Sequence, residues 1–283
     1  MRIFLTFLPV ALVASTAAFA QAEPGLPVAD DNTETNVPWQ AQIYSSATDW
    51  TPAQLGDREA WDVAHKCGGS LIAKGWVLTA AHCINAARVQ NGHRVRLGSS
   101  TIDLEEGATY RIDRMVRHAD YDAKKHYYDI ALVHFVADDQ TDEADAGEIT
   151  PIKLYDGPPL ADGAKVYATG WGQAEEGKGK GFQPDLTQVD LTVADCAQYP
   201  EYKGETTDYQ LCANSPDTDT CTGDSGGPLV MEASEPLLVG VVSWGHGCYR
   251  EHSAGVYVRI DQQHFIDWID RAMAADPSIS ELR

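Results

Sequence analysis

Short runs of apolar or alternating residues, bounded by Gly, Pro, Asn, Asp and Ser, recur along most of this chain and predict β-strands. They are Val37-Pro38-Trp39-Gln40-Ala41-Gln42-Ile43, Gly75 to Thr79, Arg94 to Leu97, Thr109 to Val116, Ile130 to Val136, Lys165 to Thr169, Leu186 to Val193, Leu229 to Met231, Leu237 to Ser243 and Gly255 to Arg259. Their length and spacing are those of barrels or sandwiches. Helical periodicity is largely absent until the end. There Phe265, Ile269 and Met273, with Trp268 beside them, form one stripe and predict a helix over about 261–275 that Asp261 can cap. Tyr44 to Lys66 is long and polar with Trp50 and Trp61, and reads as an extended surface loop bordering the leaving-group side of a cleft. An acidic segment poor in large apolar residues, about 138–150, reads as a linker between a first barrel (about 37–137) and a second (about 151–260).

Composition narrows the class. With 283 residues, 43% of them hydrophobic, the chain can bury a real core, and a net charge of −21 argues against nucleic acid or an anionic membrane as partner. Residues 1–20 read as an export signal. Arg2 gives a charged start, Ile3 to Val13 is mostly apolar, and Ala18-Phe19-Ala20 fits the small-x-small cleavage rule. The mature protein, 21–283, is therefore expected outside the cell or in a periplasm, and no later stretch is apolar for long enough to span a membrane. Six cysteines in an exported chain imply disulfides, with fifteen connectivities open.

Three stretches carry candidate chemistry. In Asp219-Thr220-Cys221-Thr222-Gly223-Asp224-Ser225-Gly226-Gly227-Pro228, small residues allow a sharp turn that aims backbone N–H groups at one point beside Ser225. Thr79-Ala80-Ala81-His82-Cys83 places an imidazole at a strand end, and imidazole is the side chain best suited to take a proton near neutral pH. Tyr128-Asp129-Ile130-Ala131-Leu132-Val133 puts a carboxylate before an apolar run, where burial demands a hydrogen-bond partner.

The order His82, Asp129, Ser225, with the serine in Gly-Asp-Ser-Gly-Gly-Pro, resembles the trypsin/chymotrypsin family of serine proteases. Pro38-Trp39-Gln40, Cys67-Gly68-Gly69-Ser70-Leu71-Ile72, Gly170-Trp171-Gly172, Ser243-Trp244-Gly245 and Gly255-Val256-Tyr257 extend the match from Pro38 to the terminal helix. The resemblance implies an all-β fold of two six-stranded antiparallel β-barrels with a C-terminal α-helix and the active site in the cleft between them. It implies that Ser225 is the nucleophile, His82 its base, Asp129 the group that orients His82, and the N–H groups of Gly223 and Ser225 the oxyanion hole. It also implies the pairs Cys67–Cys83, Cys196–Cys212 and Cys221–Cys248.

Specificity follows position by position. Asp219, six residues before Ser225, stands where trypsin-like members carry the aspartate that selects Arg or Lys. Thr220, Gly245 and Gly255 would line the same pocket, and Ser243 and Trp244 would pair with the substrate backbone. The implied partners are protein or peptide substrates with Arg or Lys, and protein inhibitors; the implied state is a monomer. The expected enzyme is a secreted serine endopeptidase without a cofactor, and the competing class is a silent or zymogen-locked binding protein on the same scaffold. Nothing resembles the strand-to-helix serine elbow of esterases.

The pattern breaks at activation. Family members are cut to free an Ile-Val-Gly-Gly-like terminus whose ammonium pairs with the aspartate before the nucleophile, here Asp224, yet the nearest counterpart is Leu26-Pro27-Val28-Ala29. No basic residue lies between Arg2 and Arg58 for a tryptic cut. His65 stands where some zymogens keep a histidine that holds this aspartate inactive. The loop from Gly98 to Thr109 has the length of a calcium loop, but Ser99 and Thr109 replace carboxylate ligands and only Glu106 is left, so no required metal is expected.

Overall fold

A computed structural model describes residues 37–47, 49–102, 106–142, 147–174, 181–216, 218–248 and 253–282. All lie in the compact unit Glu34–Arg283. The signal segment 1–20 and Leu26 fall outside the described residues.

The first half forms strands β1 (Gln40–Ser45), β2 (His65–Ala73), β3 (Trp76–Thr79), β4 (His93–Leu97), β5 (Ala108–His118) and β6 (Ala131–Val136). The second forms β7 (Lys153–Leu154), β8 (Lys165–Gly170), β9 (Thr187–Ala194), β10 (Gln210–Asn214), β11 (Pro228–Met231), β12 (Leu237–Trp244) and β13 (Gly255–Arg259), with a further short strand β14 (Glu281–Leu282) after the terminal helix. Antiparallel pairing runs β1-β2-β3-β6-β5-β4 and returns to β1, closing a six-stranded barrel. A second closed ring runs β8-β9-β10-β13-β12-β11 and back to β8. Each carries one short parallel addition, β14 on β5 and β7 on β12. The fold class is the expected one.

Glycines explain β2, a strand the pattern did not predict from hydrophobicity alone. Within β2, a Cβ on Gly69 would lie 2.6 Å from Val77 Cγ1, and one on Gly68 would lie 2.9 Å from the Gly227 Cα. The barrel wall thus approaches its neighbours too closely for any side chain, and a glycine pair with no apolar pattern of its own sits within a strand. Gly68 N donates to the Ser225 carbonyl (2.8 Å), so this strand of the first barrel holds the Ser225 loop of the second.

The Tyr44 to Lys66 segment is not an unstructured loop: it contains α1 (Pro52–Leu55) and α2 (Ala60–Ala64). A further short helix, α3 (Ala86–Gln90), is capped by the Asn85 side chain on Arg88 N. The terminal helix α4 spans Gln263–Ala274 and buries Phe265, Trp268, Ile269 and Ala272. Burying each large side chain is worth roughly 1.5–3 kcal/mol, and their targets include Val230, Leu238, Val241 and Val258 from the second barrel together with first-barrel residues. Asp261 does not cap this helix. Gln262 is the N-cap, while Asp261 pairs with Arg259 (2.7 Å) and accepts Leu160 N (2.6 Å), because a buried carboxylate gains more from a guanidinium than from one amide.

Candidate active site

Strand β3 ends at Thr79, and a single 3₁₀ turn, Ala81–Cys83, turns His82 toward the cleft. The Cys67–Cys83 disulfide fixes that turn to β2. Asp129 precedes β6 and is fully buried. Its approach is a strained bend in which His126 and Tyr128 hold φ of 54° and 50°, a region non-glycine residues seldom occupy. Asp129 Oδ2 accepts from His82 Nδ1 (2.7 Å) and from the Ser243 hydroxyl (2.7 Å), and Oδ1 accepts from His82 N (2.9 Å). Burial would push this carboxyl up, but attraction from His126 and the hydrogen bonds from His82 and Ser243 hold it well below the usual carboxylate range. A carboxylate that accepts from Nδ1–H leaves Nε2 of His82 as the free base.

The turn that carries Ser225 is built on two glycines in left-handed conformations, Gly223 (φ 105°) and Gly226 (φ 81°). Asp224 N donates to Cys221 O (3.0 Å), Gly227 N to Asp224 O (2.8 Å) and Gly226 N to Val242 O (2.8 Å). Among the described residues, the N–H groups of Gly223 and Ser225 donate to no protein acceptor, so the turn leaves two adjacent donors for a ligand. Cys83 Sγ lies 3.6 Å from both His82 Nε2 and the Ser225 carbonyl oxygen, which sets the two loops side by side. The structure shows no hydrogen bond between the Ser225 hydroxyl and His82; such bonds commonly tighten only when substrate binds.

Asp224 points away from the cleft. Its oxygens accept Gly172 N and Cys221 N, each at 2.8 Å, and a Cβ on Gly170 or Gly172 would stand 2.1 Å from them. Gly170-Trp171-Gly172 is therefore shaped to admit this carboxylate. Burial raises Asp224 to about 6, against the pull of those two N–H groups. Beside it is a cavity of about 150 Å³ lined by Asp219, Asp224, Thr169, Gln183 and their neighbours. Among the described residues no cation contacts Asp224. His65 does not hold it either: His65 Nε2 lies 3.0 Å from the Gly223 carbonyl and Nδ1 lies 3.2 Å from Gln42 Nε2. The carbonyl can only accept, so Nε2 carries the proton, and burial lowers His65 to about 4, leaving it neutral.

Thr220, Ser225, Ser243, Trp244, Gly245 and Gly255 line one pocket of about 370 Å³, with the Cys221–Cys248 disulfide also in its wall. A Cβ on Gly255 would lie 2.8 Å from the Tyr257 hydroxyl and 3.0 Å from Thr220 Oγ1, so glycine keeps this wall open. Asp219 is buried and lines the adjoining 150 Å³ cavity, with Thr220 belonging to both. Its charge reaches the inner wall: burial and then Asp219 raise the Tyr257 phenol, which bonds Thr220 (2.9 Å). Cys196 and Cys212 form the third disulfide, flanking this half.

Two neighbours of the site carried no recognisable sequence signal. His126 stands edge-on to His82 and stacks against Trp244 with centroids 6.0 Å apart. Phe182 packs against Gly223, where a Cβ would lie 2.7 Å from its ring. Ligand atoms of His82, His126 and Asp129 fall within 4.8 Å of one another, the spacing of a cation site, but the His82 and Asp129 atoms are engaged with each other and with Ser243. The loop expected to resemble a calcium site is described only in part; in it Ser100 Oγ donates to Glu106 (3.3 Å).

A family model described as Trypsin matches residues 28–269. The chain is 36% identical over 232 residues to trypsin epsilon of Drosophila erecta, covering 81% of this chain and 85% of that protein. It is 34% identical over 217 residues to serine protease 1 of Homo sapiens, covering 75% and 81%. Against transmembrane protease serine 5 of Homo sapiens it is 33% identical over 244 residues, covering 82% of this chain and about half, 48%, of that protein.

Proposed function

The chain belongs to the trypsin family of serine proteases, and on that premise we propose that it is a secreted endopeptidase that cleaves after Arg or Lys. The observation that carries the reading is the pair of unspent N–H groups at Gly223 and Ser225, set beside a histidine whose Nδ1 is held by a buried carboxylate.

In this mechanism Ser225 Oγ attacks the scissile carbonyl carbon while His82 Nε2 takes the hydroxyl proton. The oxyanion forms against the N–H groups of Gly223 and Ser225, each worth roughly 3–4 kcal/mol at the transition state. His82 then protonates the departing amine, leaving an acyl-enzyme on Ser225. Water enters, gives its proton to His82 and releases the acid by the reverse sequence. Asp129, fixed by Ser243, keeps the proton of His82 on Nδ1 and stabilises the imidazolium.

Arg or Lys would enter between Thr220, Gly245 and Gly255, with the Asp219 carboxylate as counter-charge beneath. Residues 1–20 direct export, and 21–283 form the peptidase domain, its two barrels divided near 138–150. Asp224, a buried acid raised to about 6, would be stabilised by a cation, either a free amino terminus near Leu26 or an internal group.

The test is turnover of matched amide substrates with Arg, Lys, Phe or Ala before the bond, with Ser225→Ala as control and the amino terminus of the secreted form sequenced. Turnover of Arg and Lys alone, lost in Ser225→Ala, is expected. Turnover of Phe or Ala but not Arg refutes the specificity, inertness of every processed form refutes the enzyme, and an active form starting at Gln21 excludes the Leu26 terminus.

A further inference from the structure

The insertion ahead of β2 touches the chemistry from behind. Asp62, in α2, is only 3% exposed although it is charged. Arg58, one turn before it, grips it with Nε on Oδ2 (2.7 Å) and Nη2 on Oδ1 (2.8 Å) and on the Asp62 carbonyl (2.8 Å). The same Oδ1 accepts the backbone N–H of Phe182 (2.9 Å), 120 residues later in the chain. Arg58 also covers the Phe182 ring, with Cζ 5.1 Å from its centroid. Burial opposes the Asp62 charge, but Arg58 and the Phe182 N–H outweigh it and hold the carboxyl below its usual range.

What Phe182 does with this anchorage is specific. Its ring meets His65 edge-on at 4.8 Å and packs on Gly223, while His65 Nε2–H holds the Gly223 carbonyl. Gly223 is the residue at φ 105°, a conformation with alternatives close in energy for glycine. Its Cα is thus crowded by the ring and its carbonyl is tied by the imidazole.

We propose that residues 58–65 are a brace for the oxyanion hole: Asp62, locked by Arg58, pins Phe182 across His65 and Gly223 and so fixes the direction of the Gly223 N–H. Asp62 is a positioning residue; it touches no reacting atom. The inference rests on the serine-peptidase reading for its kinetic consequence, but the pinning itself can be read without catalysis.

The experiment compares Asp62→Ala and Asp62→Asn with wild type, using the exposed Gln54→Ala of α1 as control. Asp62→Ala is expected to lower kcat tenfold or more with KM within twofold. Affinity for a peptide aldehyde, whose hemiacetal oxygen needs the Gly223 N–H, falls by the same factor, while affinity for an aryl amidine, which needs only the side-chain pocket, stays within twofold. Asp62→Asn keeps an acceptor for Phe182 and recovers most of the loss. A kcat within twofold of wild type in Asp62→Ala, or a parallel fall in amidine affinity, overturns the brace. Amide hydrogen exchange is the second arm: uptake over 181–183 and 221–227 rises in Asp62→Ala and not in Gln54→Ala. Unchanged uptake there overturns the proposal whether or not the protein is an active peptidase; if Asp62→Ala does not fold, Arg58→Ala, which removes the grip on Asp62, serves both arms with the same expected and contradicting results.

Discussion

On the reading proposed above, Asp224 ties the stability of this protein to its amino terminus, and the size of the effect can be worked out in advance. Burial raises its carboxyl from 3.8 to about 6. That is about two pKa units, or about 3 kcal/mol. A raised acid binds its proton more tightly when folded, so the folded state is favoured at low pH and loses that advantage as pH rises from about 4 to about 6. His65 and His93, lowered to about 4 by burial, act in the opposite direction over the same range, because a neutral buried imidazole gains stability as the unfolded histidine loses its proton. The informative quantity is therefore the difference between Asp224 and Asp224→Asn, measured by thermal or urea unfolding at pH 4.5 and 6.5 in a Ser225→Ala background that prevents self-digestion. For the chain starting at Gln21, raising the pH from 4.5 to 6.5 costs the Asp224 form about 2 kcal/mol relative to Asp224→Asn, or roughly 4–8 °C in Tm. For the chain starting at Leu26 the sign reverses, since an ammonium in the cavity pulls the carboxyl below its unfolded value. Identical pH courses with and without Asp224 in both forms would refute the reasoning.

Two further perturbations follow from distances at the site. Asp129→Asn keeps the shape but offers an amide to His82 Nδ1, favouring the wrong tautomer; kcat should fall about 10⁴-fold, the size known for this arrangement, with little change in KM. Gly226→Ala would place a Cβ 2.2 Å from Thr79 Oγ1 and 2.6 Å from the Gly68 carbonyl at φ 81°; urea unfolding should show a loss of about 2–5 kcal/mol from strain and overpacking together, and a loss under 1 kcal/mol would contradict that packing.

The barrels were legible because most strands are bounded by turn residues, and His82, Asp129 and Ser225 because each sits in a local pattern that survives without knowledge of its partners. The parts that were not legible depend on partners far away in the chain. Gly68 and Gly69 give β2 no hydrophobic pattern, and the reason for them, the close approach of Val77 and Gly227, lies elsewhere in the chain. Asp261 has the sequence of a helix cap, but Arg259 sits two residues before it and takes its carboxylate. The helices in the Tyr44 to Lys66 segment span four and five residues, too short for a periodic stripe. Arg58 and Asp62 look like an ordinary exposed i, i+4 pair until Phe182 arrives. His65 occupied the expected position and made a different bond, to Gly223 rather than Asp224, because Asp224 is turned into its own cavity.

The central claim, that Ser225 is an activated nucleophile served by a pocket for cationic side chains, is tested most directly by an aryl 4-guanidinobenzoate ester. The account predicts a burst of one aryl alcohol per correctly processed chain, with the acyl group found on Ser225 by peptide mass spectrometry. The burst is absent in Ser225→Ala and slowed at least about 100-fold in Asp219→Ser. No burst from the processed chain, an acyl group on another residue, or an undiminished burst in Asp219→Ser would contradict it.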